Sequence, residues 1–405
     1  MTQAVVRSAA LEAVVPADLA VPHRPAAARP IPVAATTTMQ TVTLDLASAP
    51  HQYRVVIAAG LLDQLGSLMR EVAPADRAAL ILDVNLANQF GPVITNSVQA
   101  AGYNGVVHTR TFDEQRKTLI TAGDLYNVLV KHKLERTSPV VAIGGGVTGD
   151  TVGFVASTYL RGLPFIQVPT TLLSMVDASV GGKVGVNLPQ GKNLVGAFHQ
   201  PALVVIDTNT LETLPRRELR SGLAECVKHA VIRRPERFDW LEEHAEAILN
   251  LEPQTLVELV HWNVEVKAKV VMADEREKGE RAHLNLGHTF GHAFEAVAGY
   301  GRFAHGEAVA LGMVAAARVA VAAGLCDPDL PPRLGNLLAK LGLPTHATDL
   351  PANGPILEAM SRDKKVSGGH VRLVLPTRLG EVIMRNDVPE DLLVDALNSL
   401  REARG

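Results

Sequence analysis

Cysteine is nearly absent: the 405-residue chain holds only Cys226 and Cys326. Two thiols build no disulfide framework, so a reducing cytoplasm is the expected compartment. Charge of one sign is also lacking. The formal net charge is −3 at pH 7, which provides no basic footprint for nucleic acid or an anionic membrane surface. Long uninterrupted apolar runs are missing too. The most apolar stretch, residues 305–324, carries Glu307 and Arg318, which predicts a helix buried in a protein core and no membrane span. What is present is ordinary for a soluble globular protein, with 47% apolar and 20% charged residues. The length exceeds what one small core serves, so two domains are expected.

Residues 1–39 stand apart. They are rich in Ala, Pro, Val and Thr without periodicity, and are expected to be a disordered extension. No charged start followed by a compact apolar core marks a secretory signal. Arg7, Arg24 and Arg29 offer only a thin case for organelle targeting. From about residue 42 to 210, short Val- and Ile-rich runs (79–82, 139–143, 165–168, 202–206) alternate with helical segments. That pattern predicts βα units around a mostly parallel, Rossmann-like sheet. After Pro215 the apolar period changes to about 3.6 residues, predicting helices at 217–232, 236–249, 255–272, 284–298 and 306–323. A β-like patch returns at 371–375. The expected division is an α/β domain over 40–215 and a mostly helical domain over 216–405, with the active site in the cleft between them.

The most informative stretch runs from Arg281 through Asn285, His288 and His292 to His305. His288 and His292 are four apart, so one helix face carries both, with Asn285 and Arg281 one and two turns earlier. Gly299-Tyr300-Gly301 ends that helix, and His305 opens the next. Two surface histidines would be the simpler account of a bare His-x-x-x-His. A third His at the end of a short turn favours a zinc-type site instead. Glu225, one turn before Lys228, is a further ligand candidate that would complete a two-His, one-Glu catalytic site. On the residues alone His292 reads as a ligand.

A strand at 139–143 runs into Gly144-Gly145-Gly146-Val-Thr-Gly149-Asp150. Clustered glycines opening a helix let backbone N–H groups approach a pyrophosphate, although a tight βα turn alone would also use them. Asp83 and Asn85, after an earlier strand, and Glu114 and Lys117, in the next connection, are in place to reach the same nucleotide. Residues 151–200 hold Arg161, Lys183 and Lys192 against one acid, Asp177. With Asn193, and with Lys183 and Lys192 expected on glycine turns, this local surplus points to an anionic small molecule. Lys228, Lys267, Arg281 and Lys365 add cations near the candidate metal residues.

Taken in order, Gly144–Asp150, Thr158-Tyr-Leu-Arg-Gly162, Gln167-Val-Pro-Thr-Thr-Leu-Leu173, Val176-Asp177, Gly181-Gly-Lys183, Gly191-Lys-Asn193, Ser221-Gly-Leu-Ala-Glu225 and Leu284-Asn-Leu-Gly-His-Thr-Phe-Gly-His292 resemble the 3-dehydroquinate synthase family. The similarity covers the chain from about residue 42 onward. It implies an NAD- and metal-dependent lyase of the shikimate pathway, acting on 3-deoxy-D-arabino-heptulosonate 7-phosphate and assembled as a homodimer. By matched position it implies Glu225, His288 and His305 as ligands of one Zn or Co ion, with His292 beside them as a polar group near the substrate. Arg161, Lys183, Lys192, Asn193, Lys228, Lys267, Arg281, Asn285 and Lys365 match the substrate-holding set; of Lys364 and Lys365, only one need face inward. Asp83, Asn85, Glu114, Lys117, Gly145, Gly146, Asp150, Thr170, Thr171 and Asp177 match the dinucleotide set, with Lys183, Lys192 and Thr213 joining it.

The implied chemistry accounts for this inventory. A secondary hydroxyl is oxidised transiently so that the neighbouring proton becomes acidic, and phosphate then leaves by β-elimination. The hydride returns, and ring opening and an intramolecular aldol closure follow. Lysines and arginines hold one conformer and stabilise negative charge. The nearest rival is another sugar-phosphate cyclase, such as a 2-epi-5-epi-valiolone or deoxy-inosose synthase. A basic residue near 365 suits a substrate carboxylate, which those substrates lack. A metal-dependent polyol dehydrogenase would need no phosphate grip, and a non-catalytic binding protein would need no complete ligand set.

Overall fold

The computed structural model describes residues 37–46, 51–277, 279–299, 302–362 and 371–401. Seven strands form the main sheet: β1 (Gln40–Leu46), β2 (His51–Ala58), β3 (Arg77–Asp83), β4 (Asn104–Arg110), β5 (Val140–Gly144), β6 (Phe165–Pro169) and β9 (Leu203–Asp207). Their order is β1-β2-β9-β6-β5-β3-β4, parallel throughout except for the antiparallel β1–β2 pair. Between β6 and β9 the chain makes a separate hairpin, β7 (Lys183–Leu188) and β8 (Gly191–Phe198). Helices α1 (Leu65–Val72), α2 (Val84–Ala100), α3 (Leu119–Lys131) and α4 (Gly146–Thr158) complete the βα units.

Alternation along the strands sorts their side chains onto two faces. Leu80, Leu82, Val141, Ile143, Ile166 and Val205 point to the face covered by α1 and α2. On the other face, Ala79, Ile81 and Val140 meet α3, α4 and the hairpin. Further along that face, Val55, Ile57, Val204 and Ile206 join the core of the helical half. Being buried on both faces, β5, β6 and β9 are mostly apolar, interrupted only by Gln167 in β6 and ended by Asp207 in β9.

The last strand of the main sheet ends at Asp207, and α5 (Arg216–Arg233) opens the helical part, where the apolar period changes. It is followed by α6 (Pro235–Leu249), α7 (Pro253–Ala273), α8 (His288–Ala298), α9 (His305–Ala322), α10 (Leu330–Lys340) and α11 (Asn353–Arg362). A second hairpin, β10 (Leu373–Arg378) with β11 (Glu381–Arg385), precedes α12 (Glu390–Ser399). The expected patch at 371–375 is thus the first arm of that hairpin, and β11 was not foreseen because its few half-buried residues leave no long alternating run. The α9 helix has the length and composition of a membrane span, with a mean hydropathy of 1.3, but 72% of it is buried inside the protein. Its apolarity is the price of a core position.

Two expectations need correction. The helix expected over 284–298 begins only at His288. Residues Glu280–Asn285 form a 3₁₀ turn, and Gly287 breaks the path at φ 78, a left-handed conformation that glycine adopts without strain. Arg281 and Asn285 therefore do not share a helix face with the histidines and arrive by a loop. Lys183 and Lys192 are not on turns but on strands, as the first residue of β7 and the second of β8. The glycines near them had suggested turns, yet β7 and β8 approach so closely that a Cβ on Gly196 would stand 2.4 Å from the Val184 carbonyl oxygen.

Candidate active site

The chain passes from β3 outward to β4, then returns to place β5 on the other side of β3. At such a switch point the loops after neighbouring strands diverge and leave a crevice at the strands' carboxyl ends. A cavity of ≈ 1480 Å³ lies there, bordered by Asp83 and Asn85 after β3 and by Gly145 and Gly146 after β5. Glu114, Lys117, Asp150, Thr170, Thr171, Lys192 and Thr213 also face it. The Asp83 carboxylate caps α2 by accepting from Asn85 N–H at 3.0 Å. Gly145 caps α4 without a side chain, leaving the helix N-terminus open towards the cavity. A Cβ on Gly144 would stand 2.3 Å from Thr148 Oγ1, so the turn has no room for one. These features fit a dinucleotide: a bare helix start for the pyrophosphate and a carboxylate one strand away for a ribose.

A second cavity, of ≈ 500 Å³, shares Asp150 and Asn193 with the first and is lined by Lys183, Lys228, Lys267, Arg281 and Asn285. Its cations are held by partners. From the first cavity, the buried Lys117 ammonium donates to the shared Asp150 Oδ2 at 2.6 Å and Asn193 Oδ1 at 2.5 Å, tying the nucleotide loop to β8. Burial pushes the Asp150 carboxyl up, against the pull of Lys117. Lys267 pairs with Asp177. Burial alone would raise the Asp177 carboxyl, but the Lys267 and Lys228 ammoniums hold it below the usual range. Arg281, which lines the cavity, donates to the Glu275 carbonyl at 2.6 Å and to the Gly181 carbonyl at 3.4 Å. Lys183 pairs with Glu277, a cavity residue with no marker in the sequence, since it lies in an irregular loop at φ 57.

The metal candidates meet where α5, α8 and α9 converge. Glu225, His288 and His305 bring one donor atom each within 4.8 Å of the others. Glu225 Oε1 lies 3.6 Å from His288 Nε2 and 3.5 Å from His305 Nε2. Both distances exceed a hydrogen bond, and Oε1 of the fully buried Glu225 has no hydrogen-bond partner. Donors bound at 2.0–2.1 Å to a tetrahedral cation stand about 3.3 Å apart. The spacing therefore suits a shared ion better than direct contact. The Lys228 ammonium abuts the other oxygen, Oε2, as a buried ion pair. Burial would raise the Glu225 carboxyl, but Lys228, His288 and His305 together hold it well below its ordinary value. Burial, reinforced by Lys228, keeps His288 neutral. Burial also disfavours charge on His305, but Glu225 and Glu295 outweigh it and push its pKa up to about 10.

His292, read as a ligand from its spacing alone, stands outside this cluster. It groups instead with Glu295 and His305, a second set whose donor atoms lie within 4.8 Å of one another, on the side facing the dinucleotide cavity. The reason is register: His288 is the first residue of α8, so one turn further along His292 has moved past Glu225. Arg161 lines neither cavity; it sits at φ 69 on the turn after α4. Lys364 and Lys365 lie outside the described residues. Glu295, which faces His305 from α8, was missed, although its spacing of three from His292 places it on the same helix stripe.

Comparison with known proteins agrees with this arrangement. Residues 108–221 match the family described as 3-dehydroquinate synthase N-terminal, and residues 222–366 match its C-terminal counterpart. A 3-dehydroquinate synthase of Symbiobacterium thermophilum is 48% identical over 353 residues, covering 87% of this chain and 98% of that protein. Among solved structures, 2-epi-5-epi-valiolone synthase of Streptomyces hygroscopicus, with NAD⁺ and Zn²⁺ bound, superposes with a TM-score of 0.79 at 28% identity, covering 86% of this chain and 96% of that one. A 2-deoxy-scyllo-inosose synthase complexed with carbaglucose-6-phosphate, NAD⁺ and Co²⁺ gives 0.80 at 26% identity, covering 89% and 100%. With a dinucleotide crevice, a cationic cavity and a two-His, one-Glu cluster joined in one cleft, and with relatives this similar over nearly their whole length, the chain belongs to the 3-dehydroquinate synthase family.

Proposed function

We propose that this enzyme converts 3-deoxy-D-arabino-heptulosonate 7-phosphate to 3-dehydroquinate and phosphate, using NAD and one Zn or Co ion. The observation that carries the reading is the meeting of three parts: Glu225, His288 and His305 stand beside a cavity lined by Lys183, Lys228, Lys267 and Arg281, and that cavity opens onto the dinucleotide crevice at Asp150 and Asn193. When bound, the dinucleotide supplies a hydride acceptor and the cation polarises a hydroxyl oxygen.

The chain's own residues do the rest. Glu225, His288 and His305 would hold the cation, and Asp83, the α4 N-terminus and Thr170 to Thr171 would hold the dinucleotide. Lys228, Lys267 and Arg281, preset by Glu225, Asp177 and the Glu275 carbonyl, would grip the substrate carboxylate and phosphate. Holding both ends selects one conformer for ring closure. Asn285 and His292 border the two cavities and offer polar contacts to the substrate hydroxyls. The same reading assigns residues 40–215 to the dinucleotide and 216–405 to metal and substrate, and takes the enzyme to be a cytoplasmic homodimer.

The test is phosphate release from 3-deoxy-D-arabino-heptulosonate 7-phosphate with catalytic NAD and Zn²⁺, with sedoheptulose 7-phosphate in parallel. Turnover of the first alone, abolished by a chelator, is expected. Turnover of the second alone would move the enzyme to the neighbouring cyclases. His288→Ala is expected to lose metal and turnover while keeping its circular dichroism spectrum; full activity in that variant would remove the metal assignment.

A further inference from the structure

An imidazole that binds a cation through one nitrogen carries a proton on the other, and whatever accepts that proton fixes the ring's tautomer and direction. For His288 the acceptor is local. Its Nδ1 lies 3.2 Å from the Leu286 carbonyl, which leaves the Nε2 lone pair towards Glu225. His305 has a different arrangement. Its Nε2 faces Glu225 Oε1 at 3.5 Å, and its Nδ1 faces a second carboxylate, Glu295 Oε2, at 3.7 Å. Glu295 stands on α8, one turn past His292 and two past His288. The stripe that supplies one imidazole therefore also supplies a carboxylate for the other, across the α8–α9 contact. Only 14% of the Glu295 side chain is exposed, and the ion pair it makes among the described residues is with His305.

We propose that Glu295 is the positioning residue for His305: its carboxylate, facing Nδ1 at 3.7 Å, favours by its charge the tautomer with the proton on Nδ1, leaves Nε2 a free lone pair, and aims the ring at Glu225. The proposal rests on the reading of Glu225, His288 and His305 as the metal cluster. It also has two definite competitors: Glu295 forms with His292 and His305 a second group of donor atoms within 4.8 Å, where it would be a ligand itself and His292→Ala would cost as much Zn²⁺ affinity as Glu295→Ala, and it borders the dinucleotide crevice, where direct contact with the cofactor would be a different role.

Zn²⁺ dissociation constants of the full-length protein, measured by competition with a chromophoric chelator, separate these cases when combined with NAD titrations and the visible spectrum of the Co²⁺ form. Glu295→Ala is expected to weaken Zn²⁺ binding by about 10–100-fold, the range found when such outer partners are removed. The cobalt spectrum should shift, NAD affinity should hold, and turnover should recover as Zn²⁺ is raised. Glu295→Gln, close in shape and still able to accept through its amide oxygen, should lose less, and it carries the test if the alanine variant fails to fold. Wild-type Zn²⁺ affinity in both variants would overturn the proposal, as would lost NAD affinity with Zn²⁺ affinity intact. His288→Ala serves as the control: if it also keeps Zn²⁺, the metal cluster itself is wrong, whereas loss in His288→Ala alone removes only the role of Glu295.

Discussion

At the scale of single residues, buried charge and its compensation decide how the site behaves. Lys228 and Glu225 are both fully buried and neutralise each other on one turn of α5. Removing one member of such a pair strands the other. Lys228→Met should destabilise the metal-free protein by about 3–5 kcal/mol, and part of that loss should return on adding Zn²⁺, which supplies Glu225 with a new positive partner. Urea unfolding with and without Zn²⁺ measures both effects; an unchanged midpoint in the metal-free protein would contradict the account.

His229, one turn on from Glu225, is a second case. Asn263 donates its amide to the Leu259 carbonyl, so its Oδ1 must accept from His229 Nδ1 at 2.9 Å, and the ring is neutral with Nε2 unpartnered. Burial first, then the Lys228 charge, lowers its pKa to about 4. The unfolded chain takes up this proton near pH 6.5 and the folded chain does not. Stability is therefore undiminished above pH 6.5 and falls as the pH drops from 6.5 to 4, by at most roughly 3 kcal/mol from this residue. His229→Gln should flatten the stability–pH slope between pH 6.5 and 5, and parallel slopes for the two proteins would refute the assignment.

At the scale of elements, the site exists because α5 and α9 nearly touch. A Cβ on Gly306 would lie 2.2 Å from the Ser221 carbonyl oxygen, and the Gly306 N–H donates to Ser221 Oγ at 2.9 Å. Arg217 of α5 grips Glu307 through both carboxylate oxygens at 2.7 and 2.8 Å, and that carboxylate also caps α9 at Ala304 N–H. His305 is thus pinned one residue from the contact, opposite Glu225. Gly306→Ala must push the helices apart. A cost of about 1–3 kcal/mol is typical of overpacking, and here Zn²⁺ affinity should fall with it because the His305–Glu225 distance grows. Thermal melts together with chelator competition test this; a Gly306→Ala protein with native Zn²⁺ affinity would show that the close approach does not set the site.

At the scale of the whole molecule, one core runs across the change of grammar at residue 215. Val55, Ile57, Val204 and Ile206 of the sheet pack in the same buried cluster as Leu223, Val227, Val260, Val264 and Phe294 of the helical part. A chain cut at 215 would expose apolar surface on both pieces. The full-length protein without ligands should therefore melt in one calorimetric transition, with residues 40–215 expressed alone failing to give a cooperative melt. Two resolved transitions would instead mean that the halves fold separately.

By itself the sequence determined the local features. Apolar runs marked the central parallel strands because these are buried on both faces, and the 3.6-residue period marked α5 to α9 because each buries one side or nearly all of its surface. The glycine turn after β5 and the spacing of His288, His292 and His305 were equally visible, since short-range geometry dictates which residue types suit them. Only the tertiary structure decided what those features meet. The meeting of α5, α8 and α9 groups His288 and His305 with Glu225; an ion pair delivers Glu277 to Lys183; and Glu295 meets His305 across two helices. These pairings join residues from 10 to 94 positions apart. Their distances are set by how closely helices can approach, which depends on side chains of both partners and leaves no periodic mark in either one.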